Sequence, residues 1–161
     1  MTDAVHPLRA VGLEFARTAP HRFQYREPIA APPATVFAAI SAHPSTWTWF
    51  AGVEDGTYEG PGPAGVGTPR SVRIGGVKYR ETILAWDEPR RWAYRVDETS
   101  SPLFEALMED WVIEPDGDTT TLAWTFAFEP LPDTEAMFLG AHELIGTTFH
   151  DAAVALDATL R

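Results

Sequence analysis

Phe138, Ala141, Ile145, Phe149, Ala152, Leu156 and Leu160 recur at steps of three and four near the end of the chain, an apolar stripe about six helical turns long. Asp133, after Pro132, suits the N-cap, and Glu135 stands in the first turn, where the helix dipole favours negative charge. Upstream lie β-type runs at Phe23 to Ile29, Thr57 to Glu59, Thr68 to Ile74, Val77 to Trp86, Arg91 to Asp97, Leu103 to Glu114 and Thr119 to Glu129. Their separators are polar or rich in Gly and Pro, as hairpin meanders require. One amphipathic helix cannot cover both faces of such a sheet, so the sheet must curl around it. The expected fold is α+β, a curved seven-stranded antiparallel sheet around a long C-terminal helix, with a cleft inside.

Two short helices are expected between the first and second strands. Ala31-Pro32-Pro33 stops the first strand and starts a helix from Ala34 to Ser41; a second, after His43-Pro44, runs through Trp47, Trp49 and Phe50 to Gly52. Residues 1–21 read as a flexible N-terminal arm and residues 22–161 as the domain, although Val11, Leu13 and Phe15 alternate and suit an extra strand.

Charge narrows the choice of partners. Twelve Lys and Arg stand against 23 Asp and Glu, a net charge of −11 that repels phosphate backbones and anionic lipid surfaces, so no nucleic acid is expected. The N-terminus lacks the apolar core of a signal peptide, no run approaches a membrane span, and no cysteine is present. A cytoplasmic protein without membrane insertion, disulfides or thiolate metal sites is the expectation. The histidines have no zinc-ligand spacing and the glycines of residues 60–67 precede no helix, so neither metal nor cofactor is expected. Those glycines suggest a mobile loop at the cleft entrance. Six Trp, nine Phe and four Tyr give more aromatic area than packing alone suggests, and part of it is assigned to a ligand.

Gly75-Gly76 suits a two-residue hairpin turn, which fixes a register. Ile74 then faces Val77, Val72 faces Tyr79, and Arg70 faces Glu81, all on the inner side. Extending the pairing, Trp92, Tyr94 and Val96 oppose Ile83, Glu81 and Tyr79. Arg70, Glu81 and Tyr94 thus form a polar row in an aromatic cavity. They read either as a buried ion pair that satisfies itself or as a site where Arg70 polarises a ligand carbonyl while Glu81 or Tyr94 exchanges protons.

The expected ligand wall comprises Trp49, Phe50, Val72, Tyr79, Ile83, Trp92, Met108, Trp124, Phe126, Phe138, His142 and Ile145, around a cavity of roughly 300 Å³ or more. The parity of the Leu103 to Glu114 strand stays open. If Phe104, Ala106 and Met108 face inward, Asp110 joins them; otherwise Glu105 and Glu109 do. Acids solvated on the outer face are the plainer reading.

Several segments together resemble the START-like (helix-grip) superfamily and, within it, the bacterial polyketide cyclase/dehydrase and lipid-transport family. They are residues 29–37, 47–53 and 65–70, then Arg80-Glu81-Thr82 leading to residues 86–94. The resemblance spans about residues 22–161. It implies a helix-grip fold and a hydrophobic small-molecule ligand, but no invariant catalytic set. Two functions follow: a cyclase/dehydrase-like enzyme acting on a polyketide-like or aromatic substrate, or a non-catalytic carrier or sensor of a lipid or aromatic metabolite. A third reading is an interaction protein with a vestigial cavity. A homodimer is compatible with each.

Overall fold

A computed structural model describes residues 4–161 of the chain; the first three residues of the expected arm lie outside it. The strands are β1 (His6–Pro7), β2 (His21–Ile29), β3 (Val53–Tyr58), β4 (Pro69–Ile74), β5 (Val77–Asp87), β6 (Arg91–Thr99), β7 (Phe104–Asp116) and β8 (Thr119–Pro130). They form one antiparallel sheet in the order β2-β8-β7-β6-β5-β4-β3, with β1 added to β6. Consecutive hairpins build β3 to β8, and β2 closes the order by pairing with the last strand. The seven expected strands are present, and β1 is an eighth. Bulges between Arg80 and Glu81, between Ile83 and Ala85, and between Phe104 and Ala106 bend the sheet.

The β4–β5 turn falls at Gly75 and Gly76, both at positive φ (56° and 81°), and the register is as the sequence implies: Arg70 opposite Glu81, Val72 opposite Tyr79, Ile74 opposite Val77. The next pairing is offset from expectation. Tyr94 lies opposite Ile83, and Val96 opposite Glu81, a shift of two residues that begins at the β5–β6 turn, where Asp87 pairs with Arg91 across residues 88–90.

α2 (Pro33–Ile40) matches the first short helix and buries Val36, Phe37 and Ile40. The second is only a single 3-10 turn, Pro44–Thr46. It ends because Trp47 takes φ −77° and ψ 59°, an inverse γ-turn in which Thr48 N–H donates to the Thr46 carbonyl at 2.8 Å. That turn accompanies a buried indole stacked on Trp49, with ring centroids 4.5 Å apart.

The C-terminal stripe is split as well. A 3-10 turn at Pro132–Thr134 precedes α3 (Glu135–Gly140), and a break at Ala141 (φ −95°, ψ 7°) separates it from α4 (His142–Thr159). Asp133 therefore lies inside the 3-10 turn instead of capping a helix. Gly140 weakens the helix at this point, and the break accompanies the packing of Phe138 on Phe104 at 4.5 Å. α4 then runs along β2: the Tyr25 hydroxyl donates to the His142 carbonyl at 2.7 Å, and Ala30 N–H donates to Asp157 at 2.6 Å. It buries Phe149, Ala152, Ala153 and Leu156 in the main core.

The other face of the sheet is covered differently. Ala85, Ala93, Ala106, Met108 and Ala127 form a shallow apolar patch, on which Phe15 and Ala16 of α1 (Phe15–Thr18) pack. Leu8 N–H and Arg9 N–H also bond to the carbonyls of Asp97 and Glu105. The segment read as a flexible arm is thus held to the sheet, and its alternating residues form no strand: Val11 and Leu13 precede the helical turn that Phe15 begins. Met108 belongs to this outer cluster and not to the ligand wall. The bulge after Phe104 is the reason: it reverses the parity of β7, so Phe104 faces the main core while Ala106 and Met108 turn outward.

Candidate functional site

Arg70 on β4 and Glu81 on β5 are both buried, 1% and 2% exposed, with Arg70 Nη1 donating to Glu81 Oε2 at 2.5 Å. Three aromatic rings surround the guanidinium: its carbon lies 4.7 Å from the Trp47 centroid, 5.3 Å from Trp92 and 5.5 Å from Tyr94. Burial works against the Arg70 charge, but the charge of Glu81 and the hydrogen bond to it hold the Arg70 pKa above the ordinary value. Burial pushes the Glu81 carboxyl up, and Arg70 offsets part of that rise. The Arg70 Nε–H has no partner, which is a cost of enclosing five donors among rings.

Tyr94 on β6 lies opposite Glu109 on β7, close enough for each to act on the other's ionisation. Burial, with Glu109 and Glu81 adding to it, raises the Tyr94 phenol well above its usual range, so the hydroxyl stays protonated. Glu109 also accepts from the Trp124 indole Nε1–H at 2.7 Å. Burial pushes its carboxyl up to about 7; Tyr94 opposes the rise and the Glu81 charge adds to it. The strand parity left open by the sequence is therefore resolved piecewise. Glu109 faces the interior with Leu107, Trp111 and Ile113, whereas Glu105 is exposed and Asp110 pairs with Arg91 on the other face at 2.9 and 3.0 Å. A signal for Glu109 was present in the run Glu109, Trp111, Ile113, whose alternation counts back from the Gly117 turn. The bulge near Phe104 conceals it from the other end.

These groups form one end of a cavity between the sheet and the α3–α4 pair, about 230 Å³ in volume. That is smaller than the roughly 300 Å³ expected at the lower end of small-molecule sites. The aromatics meant for a ligand partly fill the space themselves: Trp111 and Trp124 lie 5.6 Å apart, and Trp124 and Phe149 5.0 Å. Of the expected wall, Phe50, Tyr79, Trp124, Phe126, Phe138 and Ile145 line the cavity with Arg70, Glu81 and Tyr94. Trp47, Leu107, Glu109 and Thr148 line it too. Trp49, Ile83 and Trp92 are core residues packed behind it, and Val72 is buried away from it. His142 is exposed, its ring against Phe23 (4.7 Å) and Tyr25 (5.3 Å), because the break at Ala141 turns the start of α4 toward β2. Among the described residues no group of three His, Cys, Asp or Glu is placed to hold a metal ion, and no helix is long and apolar enough to cross a membrane.

Residues 20–160 match a family model described as polyketide cyclase / dehydrase and lipid transport. The chain belongs to this family. β1 and α1 precede the span matched to the polyketide cyclase / dehydrase and lipid transport model, which takes in every element that builds the cavity. The uncharacterized protein Rv2574 of Mycobacterium tuberculosis is 32% identical over 125 residues, covering 76% of this chain and 74% of that one. The START superfamily protein from Mycobacterium smegmatis superposes with a TM-score of 0.68 at 19% identity, over 87% of this chain and 97% of its own. The Aha1 dimer from Colwellia psychrerythraea gives 0.62 at 14% identity, over 87% and 96%. At these identities both structures establish the helix-grip fold alone.

Proposed function

We propose that the chain binds a hydrophobic small molecule in the cavity between the sheet and α3–α4, with Arg70, Glu81 and Tyr94 at the end where the ligand is held or converted. The observation that carries this reading is the cavity itself, with aromatic rings along half of its wall and polar groups at one end. Conversion by cyclisation or dehydration of a polyketide-like substrate has one observation in its favour. Tyr94 offers a hydroxyl at the wall that is not tied up in an ion pair, within reach of a ligand oxygen. In that reaction Arg70 would polarise a carbonyl, and the Tyr94 hydroxyl would supply a proton to the developing oxyanion.

Holding alone, as in a carrier or sensor, is favoured by the Arg70–Glu81 pair, whose charges satisfy each other at 2.5 Å. A test separates the two. Tyr94→Phe removes one hydroxyl and little volume, so affinity for an aromatic ligand should stay within about tenfold, ~1.4 kcal/mol. Turnover of a polyketide-like substrate should fall by about 10² to 10⁴ if Tyr94 or Glu81 exchanges protons. Turnover unchanged in Tyr94→Phe and Glu81→Gln rejects the catalytic roles, and binding without turnover across a broad panel favours the carrier.

A further inference from the structure

Charge at the polar end of the cavity is unevenly matched. Arg70 is committed to Glu81 at 2.5 Å, and the rings of Trp47, Trp92 and Tyr94 surround its guanidinium. Glu109 is the remaining ionisable carboxyl of the wall; it forms no ion pair among the described residues, accepts from a neutral donor, the Trp124 indole, and stands opposite the Tyr94 phenol. Resting on the ligand-binding reading above, we propose that Glu109 determines specificity. It selects a compact, uncharged ring ligand bearing a phenol or ketone oxygen and turns away carboxylate-headed ligands such as fatty acids.

An incoming carboxylate would stand beside Glu81 and Glu109 with one guanidinium among the three, and like charges repel strongly in an enclosed site. An uncharged oxygen meets no such penalty. Protonated Glu109 donates to a ketone, and ionised Glu109 accepts from a phenol. Burial, helped by the Glu81 charge and opposed by Tyr94, brings this carboxyl to about 7, so both forms are populated near neutral pH. The volume of about 230 Å³ suits a ligand of one or two rings better than a long acyl chain. Trp124, Phe126 and Phe138 supply the surfaces against which rings pack.

Isothermal titration calorimetry of the full chain at pH 8.5, where Glu109 is ionised, with naphthalene, 2-naphthol and 2-naphthoate tests this. 2-Naphthol should bind at least about tenfold more tightly than 2-naphthoate, and Glu109→Gln should narrow that gap by about tenfold, since the repelling charge is gone. Naphthoate binding as tightly as naphthol, or an unchanged gap in a folded Glu109→Gln protein, overturns the proposal. If the variant does not fold, the selectivity of the native chain decides alone. Naphthalene binding as tightly as naphthol overturns the role of Glu109 and leaves the hydrophobic-ligand reading standing. Absence of binding by all three overturns both.

Discussion

Arg70 and Glu81 show how a pair of charges survives in an aromatic interior: each is the other's counter-ion, and neither reaches bulk water. Removing one partner strands the other, so Glu81→Gln or Arg70→Met should cost about 3 to 5 kcal/mol in urea denaturation, and an apolar double replacement much less. An unchanged midpoint for Glu81→Gln would contradict the buried pair. Glu109 has the opposite character, a carboxyl without a cation. Its pKa in the fold lies above the unfolded value, so the native state binds more protons, and its contribution to stability falls as pH rises from about 4.5 to about 7. Glu109→Gln should remove that slope. Stability measured at pH 4.5 and 7.5 should differ between the two proteins by up to about 3 kcal/mol, with the variant relatively more stable at the higher pH. A slope unaltered by the substitution would place the titration elsewhere. The Arg70–Glu81 contact was legible because a Gly-Gly turn lies five residues from Arg70, whereas Glu109 was one of two open parities.

Elements meet where side chains permit it, and the α4–β2 seam turns on one missing side chain. A Cβ on Gly146 would lie 2.7 Å from Tyr25 Cε1, while the Tyr25 hydroxyl is tied to the His142 carbonyl. Gly146→Ala gains up to about 1 kcal/mol of helix propensity but must move that ring, so a net loss of about 1 to 2 kcal/mol is expected in chemical denaturation. A gain in stability would show that the ring yields freely. The seven main strands and the final helical stripe were readable, from alternation in the strands and from steps of three and four in the helix, whereas β1 and α1 were not. Element continuity was not. Trp47 ends a 3-10 turn and Ala141 breaks a helix because tertiary partners, Trp49 in one case and Phe104 beneath Phe138 in the other, outweigh local preference. The bulge beside Phe104 likewise decides which side of β7 carries Met108, and a bulge has no fixed residue signature.

At the scale of the molecule, the sheet encloses α4 on one face and carries the Phe15 turn on the other, so residues before the family span contribute a second apolar cluster. The negative net charge of −11 sits on this frame as a solvated surface and supports an uncharged ligand over a polyanionic partner. Six tryptophans account for both the prediction of a cavity and the shortfall in its volume, because composition counts aromatic area without saying whether it faces a ligand or another ring. By itself the sequence determined the class of fold, the order of strands along the chain and the Arg70–Glu81 contact. These follow from periodicity and turn chemistry, which act over a few residues. Only the tertiary structure decided the β5–β6 register, the outward turn of Met108, the exposure of His142 and the inward Glu109 bonded to the Trp124 indole. The first departs at the turn across residues 88–90, and the others depend on a bulge and a helix break whose energies are set by contacts between residues distant in the chain.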